Sequence, residues 1–326
     1  MLATSVDSFP PGRPGTWAFE PKLDGFRALA IIDSDRGVHV QSRRGARLNE
    51  TFPEVTWAAF EHLPAGSVLD GEIVRWSPSG RLDFSSLHRR NVAGHRRAAA
   101  LAREEPVHFA AFDLLRLRGR DVTSLPLCER RALLEELFAS IPAAGVLALG
   151  MQTLDEAEAR IWYDSLHAVG VEGLVIKPTR STYTGGTRGW QKLKRRTSCD
   201  AIVGGFVGSP RRPSGLLLGR YDQTGRLRVV GRTTQLSAQA AAEIAPLLTP
   251  AHHGHPWPAT LPPGWASSPY GERDPISYTQ VQPKVVVEIL ADIATDAGRH
   301  RHAVRYLRVR TDVDPTHVVA QRDAVA

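Results

Sequence analysis

The pattern of apolar and polar residues along the chain changes once, close to residue 196. Before it, apolar runs of strand length alternate with amphipathic stretches of helical spacing. After it, short strand-like runs follow one another with Gly-rich turns and one helix-like stretch, residues 237–248. The first pattern predicts a mixed α+β domain, and the second predicts a small β-barrel. We therefore predict two domains, residues 1–196 and 197–326.

The same pattern predicts the individual elements. In the first domain we expect an irregular Pro- and Gly-rich lead-in over residues 1–17 and strands over 17–22, 28–33, 37–42, 67–76, 107–117, 171–178 and 190–196. Helices are expected over 50–62, broken at Pro53, and over 82–101, 129–140 and 154–170. In the second domain we expect strands over 201–207, 216–221, 226–231, 285–289 and 306–310.

One polar stretch lies between the first two of these strands and is rich in groups suited to catalysis. Residues 20–27 read Glu-Pro-Lys-Leu-Asp-Gly-Phe-Arg, with one lysine, Lys22, among fixed charges. A lysine amine is protonated at neutral pH, so it becomes a nucleophile only where its surroundings favour the neutral form. By itself the stretch also fits a solvated turn with Gly25 at positive φ.

Acidic residues on apolar strands form a second set of candidates. Glu72 interrupts the strand over 67–76, and Glu172 begins the strand over 171–178. Because a buried carboxylate is costly without a partner, Glu72 predicts a metal ion, a sugar hydroxyl or a structural ion pair. Glu172 predicts a divalent cation, since such ions prefer carboxylate oxygen.

Cationic and aromatic residues complete the set. Lys192 and Lys194 are two residues apart on one strand, so their side chains share a face and call for an anion between them or water around them. Arg43, at a strand end, is placed to grip a phosphate or else to lie in solvent. On the strand over 107–117, Phe112 is the candidate to stack on a base, and Phe109 the candidate for the core.

Composition narrows the class of protein. The chain has 42% hydrophobic and 23% charged residues, which fits a globular protein, and no apolar run approaches the roughly 20 residues of a membrane span. We expect no secretory signal at the start, and the two cysteines favour a reducing cytoplasm. The net charge of +7 suits a polyanionic partner. His252, His253 and His255 could bind a metal, although no fourth ligand is obvious.

Taken together, these motifs resemble the covalent nucleotidyltransferases, and among them the bacterial ATP-dependent DNA ligases, including the ligase domain of the bacterial end-joining protein. The likeness covers nearly the whole chain. It rests on Lys-x-Asp-Gly-x-Arg at 22–27, Ser-Arg at 42–43, Asp-Gly-Glu at 70–72, Phe-Asp at 112–113, Glu-Gly at 172–173, Trp-x-Lys-x-Lys at 190–194 and Arg-x-Arg-x-Asp at 308–312.

The resemblance implies a fold and a reaction. The expected fold is α+β: a nucleotidyltransferase domain of ATP-grasp-like antiparallel sheets with helices, followed by an oligonucleotide-binding barrel. The expected reaction is ATP-dependent sealing of nicked DNA in repair, with Lys22 as the nucleophile that carries AMP and Lys192 and Lys194 at the α-phosphate. A divalent ion, Mg²⁺ or Mn²⁺, is expected at Glu72 and Glu172.

The remaining roles are also implied by the resemblance. Nucleotide contacts are expected from Glu20, facing adenine, and from Arg27, Arg43, Glu72, Phe112 and Lys177, with Arg27 and Arg43 also touching DNA. In the tail, Arg301, Arg308, Arg310 and Asp312 are expected to orient pyrophosphate, although Val313 stands where many family members have a basic residue.

We further expect a monomer in the bacterial cytoplasm, associated with the nucleoid. With no DNA-encircling domain before Lys22, nick binding should be modest and strongly salt-dependent, with other repair proteins as possible helpers. We expect the barrel to swing, so that tail arginines reach the triphosphate in the first step and then retreat for DNA, which implies a hinge near Arg195 to Asp200. Two alternatives stay open: an RNA ligase or capping-type enzyme, and a non-catalytic nucleic-acid-binding module.

Overall fold

The computed structural model describes residues 1–251, 254–266, 274–292, 295–296 and 298–320. His252 and His253, from the histidine cluster noted above, lie outside the described residues. The chain divides into two compact units, Met1–Arg195 and Arg196–Ala326. Each unit has its own sheets and hydrophobic cores.

Ten strands and five α-helices are described in the first unit. The strands are β1 (Leu2–Val6), β2 (Trp17–Pro21), β3 (Phe26–Ile32), β4 (Val38–Ser42), β5 (Ser67–Val74), β6 (His108–Leu117), β7 (Arg120–Asp121), β8 (Leu147–Leu149), β9 (Gly173–Pro178) and β10 (Arg188–Lys194). The helices are α1 (Pro53–His62), α2 (Phe84–Asn91), α3 (His95–Glu104), α4 (Leu127–Phe138) and α5 (Glu156–Ser165), the last followed by a 3₁₀ turn, Leu166–Val169.

These strands form two sheets. One has the order β1-β10-β9-β2, in which β1 runs parallel to β10 and the other pairs are antiparallel. The other has the order β4-β3-β5-β6-β7 and is antiparallel, with β8 added parallel to β6. The main core lies on the second sheet, where alternate residues such as Ala28, Ala30 and Ile32 pack with residues of α1 and α4.

Three expectations for the first unit need correction. The lead-in is not irregular throughout, because residues 2–6 form β1; their backbone pairs with β10, a contact that local sequence does not signal. Pro53 does not break a helix but begins one, since its missing N–H is unneeded in the first turn. The helical stretch over 82–101 is two helices, interrupted between Asn91 and His95.

The second unit is built on one large sheet. Its strands are β11 (Arg196–Ser209), β12 (Arg212–Tyr221), β13 (Leu227–Arg232), β14 (Thr260–Leu261), β15 (Ile276–Ser277), β16 (Thr279–Gln280), β17 (Val286–Asp292), β18 (Thr295–Asp296), β19 (Arg299–His300) and β20 (Arg305–Val309), with one helix, α6 (Ala238–Ile244), and 3₁₀ turns at Ala245–Leu247 and Pro315–His317. The sheet has the order β13-β12-β11-β17-β20, and β16 also pairs with β11.

Both faces of this sheet are covered. Along β12, Leu216 and Leu218 belong to one hydrophobic cluster, and Leu217 between them belongs to another. Alternate residues of a strand point to opposite faces, so a strand with two covered faces reads as a continuous apolar run. This explains why the five expected strands are found and why they were visible in the sequence.

Most of the expected hinge segment, residues 195–200, lies in a strand. Residues 196–200 belong to β11 and are paired with β17, from Arg196 opposite Asp292 to Asp200 opposite Glu288. Bending within them would break strand hydrogen bonds. Arg195 is the one residue between β10 and β11, and the hinge near Arg195 to Asp200 stays a prediction.

Candidate active site

A cavity of about 1230 Å³ lies in the first unit and is lined by both of its sheets. Among the expected site residues, those that line it are Glu20, Lys22, Arg27, Arg43, Glu72, Phe112, Lys177 and Lys192. Glu172 and Lys194 lie directly behind Lys22. Ten of the fourteen residues chosen from the sequence are therefore gathered at one place.

Lys22 follows the end of β2 and is held by the backbone of the Glu172 segment. The Lys22 N–H donates to the Gly173 carbonyl (2.8 Å), and the Glu172 N–H donates to the Lys22 carbonyl (3.0 Å). Gly173 has φ +139°, and a Cβ there would lie 2.1 Å from the Leu193 carbonyl oxygen. Only glycine fits, and the nucleophile loop thereby stays against the first sheet.

Glycine is needed at position 25 because of close packing and not because of a left-handed backbone conformation. Its φ is not among the positive values, whereas a Cβ on it would lie 2.2 Å from the Ile73 carbonyl oxygen and 2.9 Å from the Glu72 side chain. The solvated turn with Gly25 at positive φ is therefore wrong. The glycine brings the loop of Lys22 onto β5, where Glu72 lies.

The ammonium of Lys22 forms an ion pair with the carboxylate of Glu172, which is 4% exposed, while Lys22 itself is 23% exposed. Burial alone would lower the pKa of Lys22, but the negative charge of Glu172, with those of Glu72 and Asp24, outweighs it and raises the pKa. In this arrangement Lys22 is held protonated. Loss of the pairing with Glu172 is needed before it can attack.

Glu72, on β5, also lines the cavity. Burial raises its pKa to about 8, although the positive charges of Lys22 and Arg27 act in the opposite direction. A carboxyl group so poorly stabilised as an anion is ready to gain a cation or a hydroxyl donor.

The two lysines of β10 lie on the same face of the strand but have different surroundings. Lys192 lines the cavity, whereas Lys194 lies 3.8 Å from Glu172 and is 14% exposed. Two cations, Lys22 and Lys194, therefore lie beside the buried carboxylate of Glu172. The same-face prediction for Lys192 and Lys194 agrees with this placement.

At another part of the cavity wall lies a second lysine–glutamate pair. Lys177, 1% exposed, pairs with Glu20 (2.7 Å), which is 6% exposed. The ammonium lies 4.4 Å from the centre of the Phe112 ring and 4.2 Å from that of Trp190. The other oxygen of Glu20 accepts a hydrogen bond from Gln152 Nε2 (2.8 Å).

Arg27 is held by groups that the sequence did not single out. Its guanidinium binds Asp70 in a bidentate manner (Nε–Oδ1 3.0 Å, Nη2–Oδ2 2.6 Å) and donates to the Met1 carbonyl (2.6 Å). The Tyr183 hydroxyl donates to Asp70 (2.8 Å). These bonds and its position over the Trp190 ring, 5.0 Å from the centroid, fix the plane of the guanidinium.

The two phenylalanines of β6 differ as expected. Phe109 is fully buried in the main core, and Phe112 lines the cavity. The aspartate after Phe112 has a structural role: Asp113 and Arg130 are both fully buried and form a bidentate pair (2.7 and 2.9 Å).

The remaining predicted residues are placed differently from one another. Arg43 is exposed just beyond β4, at the rim of the cavity. In the second unit, Arg308 pairs with Glu288 (2.7 Å) and Arg310 pairs with both Asp312 (2.8 Å) and Asp200 (3.0 Å). Arg301 is 7% exposed. All four of these tail residues belong to the second unit.

Sequence reasoning missed Asp70, Gln152 and Tyr183. Asp70 could have been identified from the sequence, because it stands in the same short acidic motif as Glu72. Gln152 and Tyr183 carry no local signal: their partners lie 132 and 113 residues away in the chain. Only the pairing of distant strands reveals them.

Within the described residues, no group of three or more His, Cys, Asp and Glu side chains is arranged to hold a metal ion. No helix among them is long and apolar enough to cross a membrane.

Comparison with known proteins gives consistent matches over both units. The family model for the ATP dependent DNA ligase domain matches residues 1–194, and that for the ATP dependent DNA ligase C terminal region matches residues 210–313. DNA ligase C of Mycobacterium tuberculosis is 33% identical, over 97% of this chain and 90% of that protein.

Two further matches extend this result. The multifunctional non-homologous end joining DNA repair protein LigD of M. tuberculosis is 31% identical over 94% of this chain, which spans 37% of LigD. A solved structure from a study of Lig E DNA ligases is 18% identical, with a TM-score of 0.56 over 95% of this chain and 98% of that one. At that identity, it supports the fold alone.

Proposed function

Since the chain belongs to the family of ATP-dependent DNA ligases, we propose how its own residues carry out the three steps of nick sealing. The resemblance read from the motifs is confirmed by family models that cover both units. The observation that carries the assignment of roles is the position of Lys22, in a large cavity and directly against Glu172.

In the first step, the neutral amine of Lys22 attacks the α-phosphorus of ATP. A P–N bond forms, the bond to the bridging oxygen of the β-phosphate breaks, pyrophosphate leaves, and the amine proton passes to solvent. Because Glu172 raises the pKa of Lys22, the amine becomes reactive only when Glu172 turns to another cation. This makes attack depend on a filled cavity.

Glu72 and Glu172 fit a divalent ion by the chemistry of their donors. Mg²⁺ is commonly bound by one or two carboxylates together with substrate phosphates. The charges of Glu72 and Glu172 both act on Lys22, and within the described part of the chain no third ligand is grouped with them. Bound there, Mg²⁺ or Mn²⁺ would supply charge shielding at the phosphates. It would also give Glu172 a partner in place of Lys22.

The positive side chains near Lys22 offset charge on the phosphate. Lys192 in the cavity and Lys194 behind Glu172 present ammonium groups toward oxygens that gain negative charge as the α-phosphorus is attacked. Such fixed charges need no reorientation at the moment of reaction. Arg301, Arg308, Arg310 and Asp312, all in the second unit, are assigned to the leaving pyrophosphate.

The base end of the nucleotide lies between Phe112 and β9. Phe112 offers its ring, and stacking of a base on an aromatic ring contributes about 1 to 3 kcal/mol. Glu20 and Lys177 face the base edge, and Arg27 faces the sugar or the phosphate at the nick.

In the second step, an oxygen of the 5′-phosphate attacks the phosphorus of AMP and the P–N bond breaks, which restores Lys22. In the third, the 3′-hydroxyl attacks the 5′-phosphate, AMP leaves, and the hydroxyl proton passes to solvent. Arg43 at the cavity rim is exposed and suited to a DNA phosphate.

The biological setting follows from its relatives. The name of LigD ties that protein to non-homologous end joining, and we propose that this chain acts on broken or nicked DNA, as a monomer, at the nucleoid and alongside other repair proteins.

The first test is incubation with α-labelled ATP and Mg²⁺, followed by a denaturing gel and then by addition of nicked DNA. Wild type should carry a covalent label that nicked DNA discharges, and Lys22→Ala should carry none. Label that only an RNA end discharges would favour the RNA ligase alternative, labelling by GTP in preference to ATP would favour a capping enzyme, and no label would favour a binding module.

A further inference from the structure

The wall of the cavity at Glu20 includes a short segment that joins the two sheets. We call residues 147–153 the strap. At one end it is β8, parallel to β6, with the Gly150 N–H donating to the Ala111 carbonyl (2.7 Å). At the other end Thr153 pairs with Phe19 on β2 through two backbone hydrogen bonds (2.9 and 3.0 Å).

The strap is fixed between these two ends. Arg131 on α4 donates to the Gly150 carbonyl (2.8 Å), so the turn in the strap has a charged donor holding it. Its side chains thereby have a defined position relative to both sheets. Met151 faces the cavity, and Gln152 reaches Glu20.

Glu20 consequently has both carboxylate oxygens engaged. Oε1 accepts from Gln152 (2.8 Å) and Oε2 pairs with Lys177 (2.7 Å), on opposite sides of a side chain that is almost fully buried. Lys177 neutralises the charge of Glu20, and the hydrogen bond from Gln152 orients its carboxylate. A carboxylate held at both oxygens cannot turn about its last torsion, whereas one held only by an ammonium can.

Orientation of this carboxylate decides which purine it can accept. A carboxylate is an acceptor only, so it suits a base with an amino group at position 6 and opposes a base with a carbonyl oxygen there. If the carboxylate could turn or shift, it could instead accept from the N1–H and amino group of guanine. Fixing the carboxylate prevents it from binding guanine in this way.

We propose that Gln152 is a positioning residue for nucleotide selection: from the strap, it holds Glu20 in the orientation that accepts the 6-amino group of adenine and rejects guanine. Gln152 does not itself touch the nucleotide. This inference rests on the proposed placement of the base against Glu20.

The test compares ATP and GTP with the full chain, by binding and by reaction. Binding of each nucleotide is measured by calorimetry without divalent ion, and the rate of Lys22 labelling is measured with Mg²⁺, for wild type and Gln152→Met. Met has nearly the size of Gln but has no donor. Because a hydrogen bond to a charged group is lost, we expect the ATP-to-GTP preference to fall about tenfold or more in both assays, mainly through weaker ATP binding.

Gln191→Met is the matched control. Gln191 stands between Trp190 and Lys192 on β10, so its side chain is on the face away from the cavity. The same chemical change there should leave the ATP-to-GTP preference as in wild type. Gln152→Glu, which replaces the donor by an acceptor, is the second variant if Gln152→Met fails to fold, and its loss of preference should be at least as large.

The outcomes separate the two proposals. A folded Gln152→Met protein with an unchanged ATP-to-GTP ratio overturns the role of Gln152, as does a wild-type protein that binds both nucleotides equally. If wild-type protein binds ATP selectively but is never labelled, the proposed role of Lys22 is overturned. The ratio of ATP to GTP binding in wild type and Gln152→Met then still tests the role of Gln152.

Discussion

Two lysine–glutamate pairs border the same cavity, and they differ in what surrounds them. In the pair Lys22–Glu172 the lysine is 23% exposed, and a second cation, Lys194, stands 3.8 Å from the glutamate. In the pair Lys177–Glu20 the lysine is 1% exposed and is enclosed by two aromatic rings. The residue types are the same, but only the Lys22 side chain is appreciably exposed.

The difference shows that ion pairing alone does not mark a catalytic lysine. The Lys22 pair can be opened, because the lysine has access to the cavity and the glutamate has a second cation to turn to. Opening the Lys177 pair would leave two buried charges and would break contacts with Phe112 and Trp190. One pair is therefore suited to chemistry, and the other to holding a binding surface.

The largest expected effect is on protein stability, and it differs between the Lys177–Glu20 and Lys22–Glu172 pairs. Lys177→Met should lower the free energy of unfolding by about 3 to 5 kcal/mol, because it leaves Glu20 buried with its charge unpaired. Lys22→Met should cost much less, since Glu172 keeps Lys194 nearby. Urea unfolding of both variants, followed by circular dichroism, measures this difference.

The control for that experiment is the double variant Lys177→Met with Glu20→Gln. Removing both charges should recover part of the loss, because Gln at 20 can still accept from Gln152. If Lys22→Met proved as destabilising as Lys177→Met, the contrast between an openable and a closed pair would not hold.

The second prediction concerns the reactivity of Lys22 without ATP. Glu172→Gln should lower the pKa of Lys22, because the carboxylate that raises it is gone while burial, which lowers it, remains. Modification of Lys22 by an amine-selective reagent should then begin at a lower pH than in wild type. The pH profile, read by mass spectrometry of the peptide that contains Lys22, gives the shift.

Glu158→Gln is the matched control, because Glu158 is an exposed acid on α5. It should leave the profile unchanged. An unshifted profile for Glu172→Gln would mean that other charges keep Lys22 protonated.

The smallest effect is expected for a cation that is exposed and not part of either buried pair. Arg43→Ala should weaken binding of nicked DNA about threefold to tenfold and reduce the salt slope of that binding by about one, as for the loss of one phosphate contact. Fluorescence anisotropy with labelled nicked duplex at several salt concentrations measures both quantities. An unchanged slope would place Arg43 away from DNA.

The sequence alone was enough for much of the architecture. Covered strands such as β6, β9 and β12 read as apolar runs of the right length, and the change of pattern near residue 196 falls where one sheet system gives way to another. β1 could not be found in this way. Its five residues form a strand because the backbone of β10 lies beside them, and that contact leaves no periodic pattern.

The sequence also supplied the candidate site residues: Lys22 and Glu172 stood out from their neighbours, and the family resemblance added Glu20 and Lys177. Only the tertiary structure decided how they pair. β2 and β9 are antiparallel, with Glu20 opposite Val175, so Glu20 reaches Lys177 and Lys22 reaches Glu172. The register of two strands about 150 residues apart and the rings that enclose Lys177 leave Lys22 partly exposed and Lys177 buried, because strand pairing and burial depend on the whole fold.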